Sequence, residues 1–96
     1  MLVDAENVRR SLWPNLGRHE LAELVDAWAE REGHRALVVW EGAESADDRI
    51  ARWVEEEHGP YWLVTSDREL RERAGGGAER TIGGGAFARL LAGLRT

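Results

Sequence analysis

Short hydrophobic runs alternate along the chain with longer stretches in which apolar residues recur every three or four positions. The runs have the length of strands buried in a sheet, and the longer stretches have the period of amphipathic helices. Strands are expected at residues 2–4, 36–40, 61–65 and 79–82. Helices are expected at residues 19–32, at 46–58, before Gly75 and after Gly85. This β-α-β-α-β-α-β-α order predicts a three-layer α/β fold of about four parallel strands, with helices on both faces.

The expected helix ends have recognisable capping residues. Gly33 follows the first helix, where glycine readily adopts the left-handed conformation that closes a helix. Ser45 and Asp48 form a capping box, and Ser66 and Glu69 form a second one, so each serine is expected to precede a helix. By this interpretation Asp48 and Glu69 serve the helix ends, and the carboxylates next to them remain available for other contacts.

Acidic residues follow three of the hydrophobic runs. Asp4 ends the first run, Asp47 comes after the second and Asp67 comes after the third. These carboxylates are expected to converge, because α/β proteins bind ligands at the edge of the sheet where the carboxyl ends of parallel strands meet. Carboxylates crowd together cheaply only when protons or cations neutralise them, and Mg²⁺ and Mn²⁺ prefer oxygen ligands. The pattern predicts a divalent-metal site formed by these three residues. Further acids that could join it are Glu41, Glu44 and Asp48.

Polar and aromatic residues near the acids are candidates for substrate binding. Asn7 could orient a carboxylate or a substrate oxygen, Ser66 lies beside Asp67, and Trp13 is the best candidate to stack on a nucleobase. Four arginines could hold phosphates through paired hydrogen bonds, namely Arg9, Arg10, Arg49 and Arg68. The three histidines, His19, His34 and His58, lie apart in sequence and are expected at the surface.

Composition narrows the possible chemistry. The 96 residues suffice for one domain, and their net charge of −5 argues against nonspecific nucleic-acid binding through a basic surface. No cysteine is present, which excludes disulfides and thiolate metal sites, and no lysine is present, which excludes Schiff-base and P-loop chemistry. No apolar run is long enough to cross a membrane, so a soluble cytoplasmic protein is expected. The glycine triplets at 75–77 and 83–85 are expected to be flexible turns.

Three segments carry a resemblance to a known family. Residues 3–8 read VDAENV, residues 44–50 read ESADDRI and residues 64–70 read VTSDREL. In the same order, they resemble the VDGYNV, ETADD-I and VTSDREL segments of the YacP-like NYN domains, which belong to the PIN-like ribonuclease superfamily. The similarity extends over nearly the whole chain.

The resemblance implies a PIN-like (Rossmann-like) fold and the activity of a metal-dependent endoribonuclease that uses Mg²⁺ or Mn²⁺. Carried over residue by residue, the family's acids are Asp4, Asp47 and Asp67, with Asn7 and Asp48 nearby. The implied partner is RNA, which for some characterised relatives is messenger RNA associated with ribosomes.

The chain departs from the family between the second strand and the second motif. Family members have a longer stretch there, with another strand, whereas residues 41–44 connect the two segments almost directly. Residues 1–96 are therefore expected to form one domain with four strands instead of five. The altered sheet edge could pair with a second copy of the chain to form a homodimer. In addition, Ala5 and Glu6 replace the usual Gly-Tyr pair.

Three other functional classes are alternatives to a nuclease. A catalytically weak or inactive module that binds RNA or protein is the main alternative, favoured by the missing strand and opposed by the intact acids. A phosphotransfer receiver domain and a phosphatase of the haloacid dehalogenase type both fit poorly, because the chain has no lysine.

Overall fold

The computed structural model describes residues 1–11, 17–56 and 59–94, so Trp13 and His58 lie outside the described residues. The four strands within this part of the chain are β1 (Leu2–Asp4), β2 (Leu37–Val39), β3 (Trp62–Val64) and β4 (Arg80–Ile82). The five helices are α1 (Ala5–Arg10), α2 (Arg18–Glu32), α3 (Ala46–Glu55), α4 (Arg68–Ala74) and α5 (Gly84–Ala92). None of these helices is long and apolar enough to cross a membrane.

The strands form one parallel sheet in the order β2-β1-β3-β4. The chain moves from β1 to one neighbour, β2, and then crosses to β3 on the other side of β1. The strand order therefore reverses between β1 and β3. Open α/β sheets bind ligands at such a switch point, beyond the carboxyl ends of the strands. Asp4, the last residue of β1, lies at this position.

The sheet separates two hydrophobic clusters. On one face Val3 and Val64 pack with residues of α1, α2 and α5. On the other face Leu2 and Leu63 pack with residues of α3 and α4. Consecutive strand residues belong to different clusters because their side chains point to opposite faces. The predicted α/β fold, with four parallel strands and helices on both faces, is confirmed.

Helix α1 was not among the helices expected from the sequence, the first of which was placed at residues 19–32. Only Ala5 and Val8 are buried among its six residues, too few to produce a recognisable helical period. The predicted end of α2 is confirmed, since this helix closes at Gly33 with a left-handed φ of 75°. Helix α3 begins directly after Ser45, as its capping residue predicted.

Strand β2 lies at the edge of the sheet, although its continuous apolar run predicted a strand covered on both faces. Leu37 is 42% exposed. The strand directly precedes the short connection at residues 41–44, which leads to α3. In α5, Leu90 is also exposed, and Ala88 completes the buried face together with Phe87 and Leu91.

His34 is half-buried between two tryptophans, whereas a surface position was expected. Its ring stacks on Trp28 with a centroid separation of 5.8 Å and lies 4.2 Å from the ring centroid of Trp62. Trp28 in turn contacts Phe87 edge to face, at 5.1 Å. These rings extend the core toward the start of β3, while His19 is exposed as predicted.

Candidate functional site

Asp4 is a buried carboxylate at the switch point of the sheet. Only 6% of its surface is exposed. Its Oδ2 accepts a hydrogen bond of 2.8 Å from the hydroxyl of Thr65, which directly follows β3 and takes the register position beside Asp4. Among the described residues, no hydrogen-bond donor contacts the other oxygen, Oδ1. Asp4 is therefore held firmly through one oxygen and can offer the other to a ligand.

Two carboxylates near the switch point, those of Asp4 and Asp47, have raised pKa values. Burial raises the pKa of Asp4, the Thr65 hydrogen bond lowers it, and the charges of Asp47, Glu41 and Asp67 raise it further. Burial also raises the pKa of Asp47, and the charges of Asp67 and Glu41 add to this effect. Like charges have such an influence only when they are close. The structure thus brings Asp4, Asp47 and Asp67 to the same edge of the sheet.

The start of α3 distinguishes two neighbouring aspartates. Ser45 Oγ accepts a 3.1 Å hydrogen bond from the backbone N–H of Asp48, which is the first half of the predicted capping box. The Asp48 carboxylate accepts a 3.0 Å hydrogen bond from Arg73 of α4. Hydrogen bonds from Arg73 and Ser45 lower the pKa of Asp48, which is exposed. Asp48 is thus occupied by a cation, whereas half-buried Asp47 faces mainly like charges.

The predicted capping box at α4 is wrong. Asp67, and not Ser66, is the N-cap residue, because its Oδ1 accepts a 3.1 Å hydrogen bond from Leu70 N. Asp67 N in turn donates to the Thr65 hydroxyl at 3.1 Å. Ser66 Oγ accepts instead from Gly84 N, at 2.7 Å. The serine hydroxyl is thus bonded to the first turn of α5. Asp67, which was expected to remain available for other contacts, caps α4 instead.

The two glutamates near α3 also have partners. Glu41 Oε2 accepts a 3.2 Å hydrogen bond from Ala46 N in the first turn of the helix. Glu44 Oε1 lies 2.6 Å from Arg52 Nη1 and forms an ion pair with it. Glu44, a candidate ligand by sequence, is therefore neutralised by an arginine, while Glu41 adds negative charge near Asp4.

A hydrogen bond of the Asn7 side chain links α1 to the segment after β3. Its Oδ1 accepts a 2.9 Å hydrogen bond from Ser66 N. Gly84 packs directly against this amide, and a methyl group on Gly84 would overlap Asn7 Oδ1. The triplet at 83–85 is therefore more than a flexible turn, because Gly84 starts α5 at a close approach that only glycine permits. Asn7 and Ser66 thus hold backbone N–H groups in place at this edge of the sheet.

The arginines expected to bind phosphate lie in two layers. Arg9 and Arg10 belong to α1, which packs on the face opposite α3 and α4. Arg49, on α3, donates a 3.4 Å hydrogen bond to the backbone oxygen of Trp40. Arg68 is exposed at the first position of α4. Only Arg49 and Arg68 thus share a layer with the helices that carry the acids.

Two residues of the site were not singled out from the sequence. Thr65 orients Asp4, and Arg71 Nε donates a 2.9 Å hydrogen bond to the backbone oxygen of Thr65. Thr65 could have been found, because it is a polar residue that ends a hydrophobic run in register with Asp4. The sequence carries no comparable signal for Arg71, which lies in the middle of α4.

The donor set fits a hard divalent cation in chemistry, since all of the acids at this edge offer carboxylate oxygens. In the described ranges, no three acidic or histidine side chains are grouped closely enough to hold an ion as they stand. Asp4 is fixed by Thr65, whereas Asp47 is half-buried and Asp67 is exposed. Ion binding would therefore require the side chains of Asp47 and Asp67 to turn toward Asp4.

Comparisons of the chain with protein-family models, with curated proteins and with solved structures found no match. The resemblance to the NYN domains therefore stays a prediction from the three motifs.

Proposed function

We propose that this protein is a metal-dependent endoribonuclease of the NYN type, in which Asp4, Asp47 and Asp67 surround the ion. The observation that carries the proposal is the buried Asp4 carboxylate at the switch point, whose pKa is raised by burial and by nearby acids. A buried carboxylate among like charges opposes folding, and such arrangements are concentrated at functional sites.

Each residue of the site has a role in this proposal. Bound Mg²⁺ or Mn²⁺ would supply an activated water and neutralise charge on the phosphodiester. Asp4 is the acid of fixed orientation, because Thr65 holds its Oδ2. Arg49 and Arg68 would bind substrate phosphates, for which guanidinium groups are well suited. Asn7, through its hydrogen bond to Ser66 N, keeps the segment that bears Asp67 in place.

The proposed substrate is RNA, including messenger RNA on ribosomes, and the proposed location is the cytoplasm. The net charge of −5 provides no general attraction for nucleic acid. Binding would therefore depend on the arginines near the site and on the ion, which makes both contacts strongly sensitive to salt.

A non-catalytic RNA- or protein-binding module is the second candidate. The observation that favours it is the occupation of two acids by arginines, Asp48 by Arg73 and Glu44 by Arg52. Fewer carboxylates then remain for an ion than the motif implies. Such a module would bind its partner without cleaving RNA.

A comparison of two adjacent substitutions distinguishes these functions. Asp47→Asn should lower Mn²⁺-dependent cleavage of a labelled RNA by roughly 100-fold or more, since removal of even an outer partner of a metal site costs ~10–100-fold. Asp48→Asn is the matched control and should retain most of the activity, because Asp48 is paired with Arg73. The nuclease proposal fails if the wild-type protein cleaves no RNA, or if Asp47→Asn cleaves as well as the wild type.

A further inference from the structure

The ring of Trp40 lies at the same edge of the sheet as Asp4. Trp40 follows Val39, which is the register partner of Asp4 in the pairing of β1 with β2. The half-buried ring packs against the cluster that contains Val3, whereas Val39 belongs to the cluster on the other face. Trp40 is therefore beside the proposed ion site, on the face of the sheet that α1 and α2 cover.

An arginine of α2 covers one face of this ring. The guanidinium carbon of Arg18 lies 5.5 Å from the ring centroid of Trp40, within the range of a cation–π interaction. The Arg18 side chain is 64% exposed. Because the outer side of this arginine is open to solvent, a rotation of its side chain uncovers the face of Trp40 beneath it.

Glu6 lies next to the same arginine and has an unsatisfied oxygen. Its side chain is only 13% exposed, with Arg18 Nε 3.3 Å from Oε1 and Arg9 Nη1 3.9 Å from Oε2. These arginines neutralise the charge of the carboxylate. Even so, Oε1 is buried and accepts no hydrogen bond of good geometry from the described residues. A buried acceptor without a donor costs free energy, so a ligand that donates to Oε1 is favoured.

The position of Arg18 indicates the kind of ligand that fits. Its guanidinium is a planar group with N–H donors that lies over Trp40 and beside the carboxylate of Glu6. Guanine has the same properties, since N1–H and the 2-amino group are adjacent donors on its Watson–Crick edge. Adenine, cytosine and uracil each have a single donor group on that edge. Proteins recognise unstacked RNA bases by this combination of aromatic stacking and hydrogen bonds to the Watson–Crick edge.

We infer that Trp40 and Glu6 form a subsite for a guanine base of single-stranded RNA. The base stacks on Trp40 and donates to the Glu6 carboxylate in place of Arg18. The displaced guanidinium is then available to a neighbouring phosphate. Because Trp40 and Asp4 share an edge of the sheet, this guanine lies close to the phosphodiester at the ion site. The inference rests on the proposed RNA substrate.

Binding without divalent cations tests the subsite separately from cleavage. The probes are labelled oligouridylates with one central guanine or adenine, followed by fluorescence anisotropy. The wild-type chain should bind the guanine probe roughly tenfold more tightly, the usual discrimination of a paired hydrogen bond to a base. Glu6→Gln should remove this preference. Glu32→Gln is the matched control and should retain it, since Glu32 is a glutamate of α2 that also lies 3.9 Å from an arginine, Arg31.

Two further measurements identify the stacking residue and the source of the base. The guanine probe should quench tryptophan fluorescence, and Trp40→Leu should lose most of this quenching together with the preference. Circular dichroism should show that the variants keep the fold. Free guanosine monophosphate should compete only at much higher concentration than the oligonucleotide, because it lacks the neighbouring phosphates.

The outcomes separate this inference from the nuclease proposal. Equal binding of the two probes by the wild type, or a preference that survives Glu6→Gln, overturns the inference even if Mn²⁺-dependent cleavage is observed. A preference that depends on Glu6 supports the subsite even if no RNA is cleaved, and in that case the nuclease proposal alone fails. If guanosine monophosphate binds as tightly as the oligonucleotide, the ligand is a free nucleotide and the assignment to RNA is wrong.

Discussion

Asp4→Asn should abolish RNA cleavage and at the same time make the protein more stable at neutral pH. The substitution removes a charge that is buried near Asp47, Glu41 and Asp67, while an amide oxygen can still accept the Thr65 hydrogen bond. The loss of activity should be roughly 100-fold or more, because the proposed ion would lose its one ligand of fixed orientation, and removal of even an outer partner of a metal site costs ~10–100-fold. A gain in stability with a loss of activity is the behaviour expected of a strained functional site.

The pH dependence of stability gives this prediction a definite sign. The pKa of Asp4 in the folded protein lies above its ordinary value of 3.8, so the folded state binds the proton more tightly than the unfolded state. Unfolding free energy should therefore decrease as pH rises from the unfolded pKa through the folded pKa. Asp47 contributes in the same direction, because its pKa is also raised.

Thermal unfolding at a series of pH values, from mildly acidic to neutral, measures the effect. The wild-type melting temperature should fall across this range by more than that of Asp4→Asn, in buffers without divalent cations. Should Asp4→Asn prove less stable than the wild type at neutral pH, Asp4 would be a structural residue whose charge contributes to folding.

Gly84→Ala should destabilise the fold by about 1–3 kcal/mol, the usual cost of forcing extra atoms into a packed site. The added methyl would overlap Asn7 Oδ1, and the neighbouring backbone oxygen of Asn7 would be only 3.3 Å away. Relief requires Asn7 or α5 to move, which would disturb the hydrogen bonds of Ser66 with Asn7 and with Gly84. Because these contacts hold the segment before Asp67, cleavage should decrease as well.

Gly85→Ala is the matched control for this substitution. It lies one position further along the same helix, and nothing is within 4 Å of a methyl group placed there. Alanine is favoured over glycine in a helix by up to ~1 kcal/mol, so Gly85→Ala should stabilise the protein. Urea unfolding of both variants checks the pair. Equal effects of the two substitutions would contradict the proposed close contact between α5 and Asn7.

The sequence predicted the arrangement of strands and helices because hydrophobic period depends on burial, and burial is regular in a layered α/β fold. It located Asp4 at a strand end and Ser45 at the start of α3. It did not predict α1, whose six residues bury only Ala5 and Val8. The exposure of Leu37 was also missed, since an apolar run does not show whether its strand is central or at an edge.

The details of the site depended on contacts between residues far apart in sequence. Ser66 and Asp67 are both suitable caps for α4, and the choice between them is made by Gly84, which donates to the serine hydroxyl. Likewise, Arg73 distinguishes Asp48 from Asp47, because it donates a hydrogen bond to Asp48 from a position 25 residues further along the chain. Local patterns carry no information on such partners.

Binding of Mn²⁺ to the protein tests the central claim most directly. In a titration followed by the electron paramagnetic resonance of unbound Mn²⁺, the wild-type chain should bind the ion, and added Mg²⁺ should compete. Asp4→Asn and Asp47→Asn should weaken binding by at least about tenfold, whereas Asp48→Asn should bind nearly as well as the wild type. If the wild-type chain leaves the Mn²⁺ signal unchanged at millimolar protein, or if all three variants bind equally, the acids at the switch point do not form a metal site.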